Sequence, residues 1–104
     1  MTLEQARQAL AQCRDQIDIV DVKIVELLND RTRIVEEIGN IKQQVELPIY
    51  EPAREDAVFR NVVENNKGPM PEDSVRRVFE RIIDEMRKIQ RVRMESKENE
   101  QPRC

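Results

Sequence analysis

From Thr2 to Val45 the sequence has no proline and one glycine, Gly39, while apolar residues recur on two interleaved seven-residue series. One series is Leu10, Ile17, Ile24, Arg31, Ile38 and Val45; the other is Cys13, Val20, Leu27, Ile34 and Ile41. Every member except Arg31 is apolar. This is the pattern of one long helix with a coiled-coil-like seam. Thr2 and Gln5 have the spacing of a capping box at its start. About 40 helical residues span roughly 60 Å, whereas a compact globule of this size is only about 35 Å across. The rest of the chain cannot cover such a seam, so a second copy is expected to do so. Composition agrees: 38% of the 104 residues are apolar and 3% aromatic, a thin core for a free-standing monomer. The 38% charged residues and only two glycines favour helix and helical association.

Leu47-Pro48-Ile49-Tyr50 ends the first helix. Glu51-Pro52 opens a second, because Pro suits a first helical position and an acid is favoured in a first turn. It is expected to run to about Asn65, with Ala57, Val58, Phe59, Val62 and Val63 as its apolar side. Asn65 to Pro71 reads as a loop from its Gly and Pro content. Glu72 and Asp73 start a third helix that carries Val75, Val78, Phe79, Ile82, Ile83, Met86 and Ile89 on one face. Residues 1–95 are read as one domain and 96–104 as a polar, disordered tail. The fold class is all-α, with three helices per chain.

Formal net charge is -3, which gives no general affinity for nucleic acid or acidic membranes. No run approaches the ~20 apolar residues of a membrane span, and the N-terminus lacks a signal-peptide pattern; a cytoplasmic location is expected. Histidine is absent, which removes the commonest general base and metal ligand. Cys13 and Cys104 form no metal-ligand pattern. Cys13, inside the apolar stripe, is expected to be a buried thiol. The chemistry must rest on Arg, Lys, acids and amides, or use none of its residues as a proton shuttle.

Several polar residues do not suit a core. Arg31 occupies a seam position, and a buried guanidinium needs a partner. That partner is either an acid that fixes the register or an anionic ligand. Lys42 follows eleven residues later, three turns on, so its backbone is roughly 16 Å from that of Arg31 on nearly the same face. Two long cations there leave room for one small anion; alone, Lys42 reads as a solvated surface lysine. Gln90 puts an amide close to the apolar face of the third helix, or at its fraying end. Arg54 and Glu55, in the first turn of the second helix, read alone as ordinary surface charges. Together these residues suggest a pocket for a small polyanion.

The region from Leu10 to Gln90 resembles the all-helical (AroQ-class, type II) chorismate mutases. The motifs that carry the resemblance are Leu10 to Asp21 with Arg14, Leu27-Leu28-Asn29-Asp30-Arg31, Ile38-Gly39-Asn40-Ile41-Lys42, Tyr50-Glu51-Pro52-Ala53-Arg54-Glu55, and Phe79 to Gln90. The resemblance implies rearrangement of chorismate to prephenate in the shikimate pathway, without a cofactor. It implies that Arg14 and Arg31 grip the substrate's carboxylates, and that Lys42 binds a carboxylate and the ether oxygen. Arg54 would support a carboxylate, Glu55 would accept the ring hydroxyl with help near Glu51, and Gln90 would donate to the ether oxygen. Where family members often have Asp this chain has Glu51. Met86 stands where a small polar residue can help hold a carboxylate, so that contact is lost. Arg14 lies seventeen residues before Arg31, about 25 Å along one helix, and can reach the same molecule only from an antiparallel partner. The expected assembly is an intertwined antiparallel homodimeric bundle with shared sites. The rivals are an isochorismate-pyruvate lyase, a non-catalytic regulatory or dimerisation module for another shikimate-pathway enzyme, and a plain coiled-coil adaptor.

Overall fold

The structure, a computed structural model, describes residues 1–100, with side chains described through Ser96. Three helices follow one another: α1 (Leu3–Gln44), α2 (Pro52–Glu64) and α3 (Glu72–Glu100). Among the described residues there is no strand. The helix count and the first two boundaries agree with the sequence reading. α3 continues past the boundary expected at residue 96 to Glu100, and residues 101–104, including Cys104, lie outside the described residues. No described helix is long and apolar enough to cross a membrane. The chain divides into two compact units, Met1–Ile34 and Val35–Cys104.

The first unit is helix alone. The capping box forms: Thr2 N donates to Gln5 Oε1 at 2.9 Å and Gln5 N donates to Thr2 Oγ1 at 3.1 Å, which satisfies two of the amides a helix start leaves unpaired. No residue of this unit is buried. Leu10, Ile17, Val20, Ile24, Leu27 and Ile34 are all exposed. Cys13, expected to be a buried thiol, is exposed with the stripe it belongs to, because a single helix has nothing of its own to bury against.

The second unit holds the core. α1 ends in a left-handed cap: Glu46 has φ 55, and Leu47 N donates to Lys42 O at 2.8 Å. This is the six-to-one bond of a Schellman motif, and it turns the chain back over the last turn. Asn65 ends α2, with its Nδ2 on Asn61 O at 2.8 Å. The following loop turns at Gly68, whose φ of 72 suits a residue without Cβ. α2 packs on α3. Val75, Ile83, Met86 and Gln90 are buried, with Ala57, Val62, Phe79 and Ile82 half-buried around them. Val78, expected on the buried face, is exposed. At about 100° per residue it sits roughly a quarter-turn from the centre of the stripe that the four buried residues define.

Candidate active site

Lys42 lies in the last turn of α1, just where the Schellman turn brings the chain back. Its Nζ donates to Ile49 O at 3.2 Å and pairs with Glu51 Oε1 at 2.9 Å. Only 12% of the side chain is exposed, so it is not the solvated lysine its spacing alone allowed. Glu51 occupies the N-cap position of α2 but makes no side-chain cap bond; its carboxylate turns to Lys42 instead. An ammonium has three donors. Two are engaged among the described residues.

Gln90 is 7% exposed. It is not at a fraying end, because α3 runs on for ten residues to Glu100. Its Nε2 donates to Val35 O at 3.1 Å. Gly39 lies directly against the amide: a Cβ there would stand in ordinary van der Waals contact, 3.6 Å from Gln90 Cγ and 3.8 Å from Nε2. Gly39 precedes Lys42 by three residues, so both lie on one face of α1. The buried amide and the fixed ammonium therefore flank the same helical turn.

Glu55, in the first turn of α2, faces Arg87 of α3, with Oε2 at 3.6 Å from Nε. Arg87 also lies over the Tyr50 ring, 5.3 Å from its centroid. Beside them is a cavity of about 270 Å³ lined by Glu55, Phe59, Glu80, Ile83, Asp84 and Arg87. Arg54 is exposed and Met86 is part of the core. Arg14 and the half-buried Arg31 belong to the first unit, and the other six expected site residues to the second.

Arg87 and the Ile49 and Val35 carbonyls are partners that the sequence pattern does not mark. A glycine inside a helix was the one available signal, since it disfavours the helix and marks a close approach. Nothing in periodicity marks a backbone carbonyl as a partner. Glu36 and Arg93 form a further pair between α1 and α3, which ties the helix extension beyond Gln90 to the same turns.

The family described as chorismate mutase type II matches residues 13–91. A relative named chorismate mutase, from Methanocaldococcus jannaschii, is 26% identical over 93 residues, 88% of this chain and 94% of that protein. A bifunctional chorismate mutase/prephenate dehydratase of Neisseria gonorrhoeae is 38% identical over 78 residues. Those residues make up 75% of this chain and 21% of the relative, so the chain spans about a fifth of that protein's length. The solved structure of chorismate mutase (form II) from Thermus thermophilus superposes with a TM-score of 0.78 at 30% identity, covering 80% of this chain and 94% of that one.

Proposed function

Because the chain belongs to the type II chorismate mutase family, we propose that it rearranges chorismate to prephenate, with residues 1–95 as the catalytic domain. The observation that carries the proposal is one ammonium, Lys42 of α1, and one neutral amide, Gln90 of α3 against α1, each anchored by a backbone carbonyl.

The reaction is an intramolecular [3,3] rearrangement of a dianion. No proton moves and no covalent intermediate forms, so a chain without histidine is equipped for it. Cations hold the two carboxylates and fold the substrate so that the reacting carbons meet, converting flexibility into a near-attack arrangement. Arg31 and Arg54 serve one copy's site, and Arg14 is supplied by the second copy of a homodimer. Negative charge grows on the ether oxygen as the C–O bond breaks. The third donor of Lys42 and the second amide hydrogen of Gln90 meet that charge from fixed positions, each worth roughly 3–4 kcal/mol of barrier. Glu55 accepts the ring hydroxyl, and Glu51 holds the ammonium in place. Met86 offers only an apolar wall, so the carboxylate near it relies on the cations.

The exposed seam of α1 supports the antiparallel homodimer, since contiguous apolar surface of that extent marks an association face. We place the protein in the cytoplasm. We also expect a partner among shikimate-pathway enzymes, of the class that consumes prephenate, in keeping with the bifunctional relatives.

The test is to follow chorismate consumption with prephenate identified as the product. Wild-type protein should turn over chorismate, and Lys42→Ala should lower kcat by about a hundredfold or more while the helical circular dichroism is retained. Salicylate formed from isochorismate, with no prephenate from chorismate, would instead identify a lyase.

A further inference from the structure

We propose that Arg87 is a positioning residue of this site: it holds one carboxylate oxygen of Glu55, so that the other oxygen is presented to the substrate's ring hydroxyl. The inference rests on the mutase reading above and adds a residue to it.

Three elements fix Arg87. Its Nη2 donates to Asp84 Oδ1, one turn back on α3. Its guanidinium carbon lies over the ring of Tyr50, in the segment before α2. Its Nε faces Glu55 Oε2, on α2 itself, at 3.6 Å. Arg87 is thus located independently of Glu55 before it acts on Glu55. An arginine is needed for this, because its donors point in fixed directions from a plane that can stack; a lysine offers one mobile point charge.

The contact with Glu55 is poised rather than complete. At 3.6 Å it is an ion pair but not a hydrogen bond, and Arg87 Nε is buried without a hydrogen-bond partner. A buried donor left unpaired is costly, so a small movement of Glu55 toward Arg87 is favoured. Side-chain exposures of 27% for Arg87 and 21% for Glu55 keep the pair less screened than a surface bridge. Charge points the same way. The adjoining cavity is bounded by three carboxylates, Glu55, Glu80 and Asp84, with Arg87 as the one cation among its lining residues. Without Arg87 these acids would repel one another, and would repel a dianion too.

A double-mutant cycle in kcat/KM with chorismate tests this, using wild type, Arg87→Met, Glu55→Gln and the double variant. Each single change should cost about tenfold or more, while Arg87→Met on the Glu55→Gln background should cost less than about twofold. With an analogue whose ring hydroxyl is replaced by hydrogen, Arg87→Met should leave turnover unchanged. Losses that multiply, or an Arg87→Met variant with wild-type kinetics, would overturn the proposal while leaving the mutase reading intact. A wild-type protein inactive on chorismate would overturn both. If circular dichroism shows Arg87→Met to be unfolded, Arg87→Lys in the same cycle decides between the same outcomes.

Discussion

Gln90 carries two amide hydrogens, and the Val35 carbonyl takes one of them at 3.1 Å. That bond fixes the rotamer and decides which hydrogen is left to act. A carboxylic acid in its place can donate only while protonated. The carboxyl introduced by Gln90→Glu would be buried, so it would titrate above the ordinary ~4.3. The expected result is activity that is low at neutral pH and rises as pH falls through that titration, against a flat wild-type profile near neutrality. Stability should follow the same sign, present while the acid is neutral and lost as it ionises beside a carbonyl. A pH–rate profile of the two proteins checks this; a flat profile for the variant would remove Gln90 from the chemistry.

At the scale of the element, the end of α1 sets the position of Lys42. Glu46 adopts φ 55, a conformation that costs a residue with Cβ about 1–2 kcal/mol and that glycine adopts freely. The chain tolerates the strain because the turn returns Ile49 and Glu51 to the ammonium. Glu46→Gly should therefore raise stability by about 1 kcal/mol in urea unfolding, with unchanged turnover because the side chain faces solvent. The α3 helix illustrates the complementary case. Its strongest apolar stripe finds α2, and the residue at the edge of that stripe, Val78, is left exposed.

For the whole molecule, the question is what covers the α1 seam. A homodimer predicts that Ile17→Glu gives monomers in sedimentation equilibrium and, with the foreign Arg14 lost, little activity. It also predicts complementation. Arg14→Ala and Lys42→Ala chains, each inactive alone, should regain activity on mixing, because each heterodimer rebuilds one intact site. Heterodimers that form and stay inactive would exclude a shared site. The small core of the second unit fits this picture, since three buried apolar residues among those described leave much of the stability to association.

The heptad series and the proline and glycine positions alone determined three helices and the breaks between them, because helical periodicity and chain-breaking are local properties; the end of α3, where no proline or glycine stands between Glu72 and Glu100, was not marked. The sequence also marked Arg31, Lys42 and Gln90 as misplaced in an apolar pattern. Only the tertiary structure decided how Lys42 and Gln90 are held. Their anchors are the Ile49 and Val35 carbonyls, and a backbone carbonyl has no signature in residue type. Arg87 was invisible for a related reason. An arginine at the edge of a helix reads as a surface charge until α2 brings Glu55 against it, and that encounter depends on packing between elements distant in sequence.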